Sequence, residues 1–439
     1  MCRLTPVGWE FRTDPAFQEE LDWIDRFMTS DVEPLDYLLA DPHDIGQPGF
    51  TELVRPLQKI VKDRGLWACH LDPGKGGRGY GQVKLALMAE VMGRSRFGPT
   101  VFGCQAPDTG NSEILAMYGT PEQKQRWLEP LLDNRVVSTF AMTEPHGGAD
   151  PLGIRTSAVL DGDGWHLNGE KWFATSARFA EFFLVVAVTD ADAEPHRRMS
   201  ILIVPAGTPG LEILHNSRFY SEPEPTHGHL RFTDVTVPAE NILGDRGAAF
   251  VVAQNRLGGG RLHHAMRTTA QAKSAFDMMC SRALSRVTKG ERLADKQMVQ
   301  EKIADCWIKL RQFRLLVLET AWLLDEGQDY RAVRKNIAAV KAVMPGVLHD
   351  VASAALQVHG SLGLSDDMPF AGWIMQAYRT GLSDGPTEVH KVTVARQVLR
   401  DYQADDESFP SYYGPRQRNR AVERYGAAFT GAAARPNPG

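Results

Sequence analysis

In the stretch PAFQEELDWIDRFM, Phe17, Leu21, Ile24 and Phe27 recur three and four residues apart, which keeps them on one face of a helix. Asp14 and Pro15 stand before it as cap and first-turn residue. GQVKLALMAEVMGRS and TPEQKQRWLEPLLDN return to the helical period, the second opened by Thr120 as a cap with Glu122 close behind. DPGKGGRGYG, residues 72–81, reads as a connector between helices: Lys75 lacks the following Ser or Thr, and the preceding strand, of a phosphate loop. From about residue 139 to 243 the period changes to that of strands. GWHLNGEKWFATS alternates around Asn168-Gly169, a hairpin signal, and EFFLVVAVTD, RMSILIVPAG and HLRFTDVTVP are short strands bounded by Pro, Gly or Asp. Beyond 247 the chain is helical again, with Ile303, Trp307, Leu310 and Val317 on one face of a long segment, and short connections predict a bundle. This places a helical domain at 1–138, a β barrel or sandwich at 139–246, a helical bundle at 247–402 and an extended tail at 403–439. The predicted class is α+β, mostly α.

Composition narrows the function. The 439 residues carry a net charge of −5, which speaks against a phosphate-binding surface and so against nucleic acid as the main partner. Five cysteines, at 2, 69, 104, 280 and 306, form no CxxC and no metal-ligand spacing, a pattern of reduced thiols that predicts a cytoplasmic protein without a metal. The N-terminal stretch has no apolar run of the secretory kind, and no stretch approaches the ~20 consecutive apolar residues of a membrane span. No GxGxxG follows a predicted strand, so a dinucleotide would bind here without that fingerprint.

Five stretches carry candidate chemistry. FAMTEPHGGADPLGIRT, residues 140–156, can bring backbone N–H groups and the Thr143 hydroxyl against a flat ligand, although spacing alone reads Glu144 as a solvated loop carboxylate. In NGEKWFATSA, strand alternation puts Phe173 and Thr175 on one face, an aromatic and a hydroxyl that could wall a ring or simply sit half-buried in a sheet. In LQVHGSLGLSDD, Gln357 ends a helix that Gly360 and Gly363 break, and His359 reads as a packed or surface residue. GGGRLHH, residues 258–264, reads as a glycine run feeding a helix, with Arg261 at an anion-binding N-terminus or on a flexible connector. SDGPTEVHKVTVARQ, residues 383–397, puts Asp384 in a tight turn, where it either caps the next helix or aims a carboxylate into a pocket.

Taken in order, these stretches resemble the acyl-CoA dehydrogenase family over residues 15–402. The Thr-Glu-Pro loop with its glycines matches at Met142 to Gly153, the Gln-x-x-Gly-Ser-x-Gly pattern at Gln357 to Gly363, and the terminal turn and helix at Asp384 to Arg396. QAPDTGNSEILAMYGTPEQKQRWLEPLL, GRLHHAMRT and DGPTEVH look like the branch of family members 10 and 11. The resemblance implies a helical domain, a β domain and a C-terminal four-helix bundle, with FAD between the last two and reaching a second subunit. It implies that Phe140, Met142 and Thr143 line the flavin, that Phe173 and Thr175 make its other contacts, and that Thr387 and Glu388 touch it after the turn. Arg286, Gln297, Gln357 and Ser361 would hold the pyrophosphate and adenosine side, of the neighbouring subunit's cofactor. Ala149 stands where much of the family has a hydroxyl, and Lys289 replaces an aromatic, so one polar contact and one stacking contact are missing.

The implied reaction is α,β-dehydrogenation of an acyl-CoA. Asp384, where most of the family has Glu, would remove the α proton while hydride leaves the β carbon for flavin N5. Gly385 would lie against the substrate and Arg261 would help place it. Electron-transfer flavoprotein would be the acceptor, and a homodimer or homotetramer the assembly. The Asp also fits a nitroalkane-oxidase-like flavin oxidase, and a nucleic-acid-binding relative of the fold is a third reading; a flavin monooxygenase would lack the positioned carboxylate.

Overall fold

α1 (Pro15–Phe27) starts as its sequence predicts: the Asp14 side chain accepts from the Phe17 N–H at 2.9 Å, and Phe17, Leu21, Ile24 and Phe27 are buried. α2 (Arg55–Asp63), α3 (Gly81–Met92) and α4 (Asp108–Tyr118) follow, then a helical stretch over 121–132. Thr120 caps that stretch, and Gln123 rather than Glu122 completes the reciprocal box. The computed structural model describes residues 13–71, 77–327, 330–403, 408–410 and 412–426. The N-terminal stretch read for a secretory signal falls mostly, and residues 72–76 of the predicted connector wholly, outside them.

The middle of the chain forms β1 (Val137–Ala141), β2 (Ser157–Asp161), β3 (Gly164–Thr175), β4 (Ala180–Val188), β5 (Met199–Pro205), β6 (Leu211–Ser217), β7 (His227–Pro238) and β8 (Ile242–Leu243). They make one mixed sheet in the order β6-β7-β3-β2-β4-β5-β8, with β1 parallel to β4. β4 is apolar at nearly every position because both its faces are covered. Phe183, Val185 and Ala187 join a core with residues of β3, β5 and β7, so the sheet folds over on itself as a barrel or sandwich does. Phe182, Leu184 and Val186 point the other way, onto Ile114, Leu115 and Trp127. The Trp127 and Phe182 rings lie 4.9 Å apart.

Asn168-Gly169 is not a hairpin. β3 runs through it as one strand with a bulge at Gly169, whose φ of +142° and close approach to Thr156 (an added Cβ would lie 2.6 Å from its Oγ1) require glycine. The hairpin instead turns at Gly162-Asp163, joining β2 to β3. A second bulge lies between Lys171 and Ala174, where Phe173 has φ +50°, so simple alternation does not carry from Phe173 to Thr175.

The C-terminal helices are α5 (Ala249–Ser285), α6 (Gln297–Asp325), α7 (Arg334–His359) and α8 (Phe370–Leu382), with α7 packed on the other three. Residues 258–260 lie inside α5, so Arg261 is not at a helix N-terminus. Glycine disfavours a helix by ~1 kcal/mol per residue relative to alanine, and packing against α3, α6 and α7 overrides that. On α6 the buried stripe is Cys306, Leu310, Phe313 and Val317, while Trp307 is 54% exposed, contrary to the predicted face. Among the described helices α7 alone is long and apolar enough to cross a membrane by length and composition, and half of its apolar window is buried inside the structure.

Packing divides the chain into a main unit, Met1–Lys391, and a C-terminal unit, Val392–Gly439. α9 (Thr387–Leu399) ends in the second unit, which also holds α10 (Gly414–Tyr425). The predicted extended tail is therefore helical over α10: Pro415 occupies its first turn, and Arg, Gln, Ala and Glu favour the helix. Residues 404–407, 411 and 427–439 of that tail lie outside the described residues.

Candidate active site

α8 ends at Leu382, and the chain turns sharply before α9. Asp384 has φ +55° and Gly385 φ +101°, two consecutive residues in the left-handed region. For Asp384 that conformation is strained, and it persists only where neighbours enforce it. Here they act on its carbonyl oxygen. Arg261 Nη2 donates to it at 3.3 Å, and His390 Nε2 at 3.2 Å. Gly385 is obligatory, because a Cβ there would sit 2.9 Å from His390 Nε2. Thr387 Oγ1 closes the turn by donating to the Gly381 carbonyl at 3.2 Å. Among the described residues the Asp384 carboxylate and N–H have no hydrogen-bond partner, so Asp384 does not cap α9; both groups are left to act on something else.

The surroundings of this carboxylate are cationic. Burial pushes the Asp384 carboxyl up, while the His264 ring in its protonated form and the Arg256, Arg261 and Lys341 cations push it down, leaving it below the usual value and ionised at neutral pH. Lys341, itself lowered to about 8 by burial, donates to the Thr380 carbonyl and so fastens the end of α8 to α7. Arg256 lies 4.2 Å over the Phe140 ring and donates to Asn111 Oδ1 at 2.9 Å; Asn111 in turn donates to Ser138 Oγ at 2.8 Å. This chain of contacts ties α4, β1 and α5 together beside Asp384.

The two loop-and-strand stretches predicted to wall a ring come together. Thr139 Oγ1 donates to the Thr175 carbonyl at 2.8 Å, and the Trp172 N–H donates to the Thr143 carbonyl at 2.8 Å. What holds them is a buried ion pair that the sequence reading missed. Lys171 is fully buried; its Nζ donates to Glu144 Oε1 at 2.7 Å and to the Met142 carbonyl at 3.0 Å. Glu144, only 3% exposed, also accepts from the backbone N–H groups of Arg155 and Thr156, so it is the opposite of a solvated loop carboxylate. Burial raises the Glu144 carboxyl, but Lys171 and these donors bring it below its ordinary value; burial lowers Lys171 to about 8.

At the far end of β3, Phe173 is 40% exposed and stacks between Trp172 (4.7 Å) and Phe219 (5.6 Å). Phe219 lies 4.0 Å from the His227 ring, and His227 Nδ1 meets Thr175 Oγ1 at 3.1 Å. Phe173 and Thr175 thus belong to one cluster despite the bulge. Arg286, Gln297, Gln357 and Ser361 are exposed on the bundle, with no described hydrogen bond to the Asp384 turn. Glu388 is exposed, and Ala149 sits on an exposed loop where it offers no hydroxyl.

Of the residues missed, Lys341 left the clearest trace: a lysine between Ile337 and Met344 on the apolar face of α7. Arg256, His227 and Arg379 left none, because their partners lie far away in sequence.

Four histidines, His263 and His390 buried and His70 and His264 half-buried, are expected to make the fold acid-sensitive. Burial lowers His70 and His264 to about 3, and His263 and His390 to about 4. All four are neutral in the fold and return to about 6.5 when it opens. Their stabilising contribution is whole above pH 6.5 and is lost as pH falls from there toward 4, at up to about 1.4 kcal/mol per pH unit for each. Urea midpoints at pH 7, 6 and 5 should fall progressively; a flat series would show that these rings are hydrated.

Family models for the acyl-CoA dehydrogenase N-terminal, middle and C-terminal domains match residues 20–135, 139–235 and 247–399. The chain is 38% identical to the "Probable acyl-CoA dehydrogenase FadE2" of Mycobacterium tuberculosis over 399 residues, covering 89% of this chain and 93% of that protein. It is 36% identical to acyl-CoA dehydrogenase family member 11 of Gallus gallus, over 88% of this chain but only 50% of that protein, so it spans about half the length of that relative. The solved butyryl-CoA dehydrogenase from Megasphaera elsdenii superposes with a TM-score of 0.75 at 26% identity, covering 89% of this chain and all of that one. With three domain models matched in order and a relative covered nearly end to end, the chain belongs to the acyl-CoA dehydrogenase family.

Proposed function

We propose that this protein is a flavin-dependent acyl-CoA dehydrogenase in which Asp384 takes the α proton of the thioester. The observation that carries this is the turn itself: a strained, half-buried residue held by its carbonyl, with an ionised carboxylate and an N–H both unengaged. A thioester α proton becomes acidic only when the carbonyl oxygen is stabilised as charge develops. In this reading the unengaged Asp384 N–H serves as one donor, a contribution worth roughly 3–4 kcal/mol per donor in other enzymes. Arg256, Arg261 and Lys341 keep the carboxylate ionised until substrate arrives. An acyl chain that excludes water from the turn then raises its basicity. Asp reaches one methylene less far than Glu, so either its backbone stands nearer the substrate or the substrate sits deeper.

The residues present fit FAD. Phe173 is an aromatic 40% exposed on β3, Thr143 and Thr175 supply hydroxyls, and Ser176 Oγ is fully buried without a partner among the described residues. Phe140, Met142, Thr143, Phe173 and Thr175 would hold the ring, with Thr387 and Glu388 beyond the turn; when bound, FAD accepts the hydride from the β carbon. Arg286, Gln297, Gln357 and Ser361 are exposed beside Met298 (74% exposed) and Leu364 (70%), which supports their serving a second copy's cofactor. Sedimentation should therefore show at least a dimer, and a monomer that binds FAD tightly would contradict a shared site. Electron-transfer flavoprotein is the acceptor we assign; it should reoxidise substrate-reduced protein.

The test of the activity is anaerobic addition of a panel of saturated acyl-CoAs to the FAD-loaded protein. At least one should bleach the flavin. Bleaching by nitroethane and by no thioester would replace this reading with a nitroalkane oxidase.

A further inference from the structure

The cluster beside Thr175 extends further than a flavin wall needs. His227 is 1% exposed on β7. Its Nδ1 faces Thr175 Oγ1 at 3.1 Å, and its Nε2 faces Glu222 Oε2 at 2.7 Å. Glu222 is also paired with Arg379 of α8, whose guanidinium lies 5.4 Å over the Phe219 ring. The Arg379 carbonyl accepts from both the N–H and the hydroxyl of Ser383, the residue before Asp384. A half-buried carboxylate, a buried imidazole and a half-buried hydroxyl are therefore hydrogen-bonded in sequence between α8, which leads into the Asp384 turn, and β3.

The direction of these hydrogen bonds follows from the donor count. Burial raises the Glu222 carboxyl, but His227 and Arg379 hold it below its usual value, so it only accepts. Nε2 of His227 must then carry the proton. The relay requires that Nδ1 keep its lone pair, to which the Thr175 O–H then donates. With its one proton committed, Thr175 offers only oxygen lone pairs to anything else.

We propose that Glu222, His227 and Arg379 form a positioning relay that fixes the Thr175 hydroxyl as a pure acceptor toward the flavin ring and ties that orientation to the Asp384 turn. The inference rests on the reading that FAD binds here. Two-electron reduction adds an N–H donor to a flavin ring, and an acceptor-only oxygen favours the state that carries it. The relay therefore stabilises the reduced cofactor, which makes hydride uptake from a saturated acyl chain more favourable.

A thermodynamic cycle on the FAD-loaded protein tests this, with His227→Phe, Thr175→Val and the double variant poised against redox dyes without oxygen. Each single change should lower the reduced-to-oxidised ratio at fixed potential about tenfold, equivalent to about 30 mV for a two-electron couple. The double variant should shift no further than either single one. His227→Asn, whose amide oxygen can still accept from Thr175, should stay near wild type. Equal shifts from His227→Phe in the wild-type and Thr175→Val backgrounds, or none in either, would overturn the relay. A readout free of cofactor and of variants is nitrogen NMR of histidine-labelled protein. His227 should be the neutral Nε2–H tautomer, and an Nδ1–H tautomer or an imidazolium would overturn the proposal even if the variants failed to fold. If wild-type protein takes up no FAD, the proposed function fails; if FAD binds and the cycle is additive, only the relay fails.

Discussion

Asp384→Asn should retain FAD and lose flavin reduction by acyl-CoA by roughly 10²–10⁴-fold, the range that a positioned general base contributes. The substitution keeps the shape and removes the charge. The turn itself is held through the Asp384 carbonyl by Arg261 and His390, and through Gly385, none of which depends on the carboxylate. FAD content should therefore change little, while the melting temperature should fall because Arg256, Arg261 and Lys341 lose the carboxylate that offsets their burial. The loss should lie in the rate of bleaching at saturating acyl-CoA, because the carboxylate acts on the reacting carbon and not on the CoA moiety. Asp384→Glu is a useful companion. Its longer side chain must fit among Arg256, Arg261 and Lys341, and activity retained there would show that the backbone tolerates the reach found elsewhere in the family. An Asn variant that bleaches as fast as wild type assigns the base elsewhere.

Lys171→Met should destabilise the protein by about 3–5 kcal/mol, because it removes the buried lysine and leaves the Glu144 carboxylate with two backbone donors and the His146 ring at 3.1 Å. Glu144→Gln should cost a similar amount by stranding a fully buried ammonium. Changing both removes the charges together and should recover much of the loss, since the attraction between two buried ions largely offsets the cost of taking them out of water. The urea midpoint reads this directly; a single-variant loss below about 1 kcal/mol would mean that water reaches the pair. The effect on function should be separable. Lys171 Nζ also holds the Met142 carbonyl, so the single variants should bind FAD more weakly even at temperatures where they stay folded.

What the sequence revealed and what it hid follow a physical division. Local signals were legible: Asp14 and Pro15 before a four-residue apolar stripe start α1, and the unbroken apolar run of β4 is buried on both faces. The same dipeptide that turns a hairpin can sit in a bulge, and only the register of β3 against β7 decides which, so Asn168-Gly169 was misread. The glycines before Arg261 predict a break by local propensity, yet tertiary packing carries α5 straight through them. The site shows the same division. The Asp384 turn was legible because Asp, Gly and Pro are adjacent in sequence. Glu144 was misjudged because its partner stands 27 residues away. Glu222 meets Arg379 across 157 residues, a pairing that no local pattern records.

The central claim is that the Asp384 carboxylate removes a proton from the carbon next to the thioester as the flavin is reduced. Stopped-flow bleaching of the FAD-loaded wild-type protein, without oxygen, by one acyl-CoA carrying hydrogen or deuterium at that carbon tests it most directly. The account predicts that deuterium slows bleaching severalfold in wild type and that Asp384→Asn shows no bleaching on the same time scale. Equal rates with both labels, together with an Asn variant that bleaches normally, would contradict it.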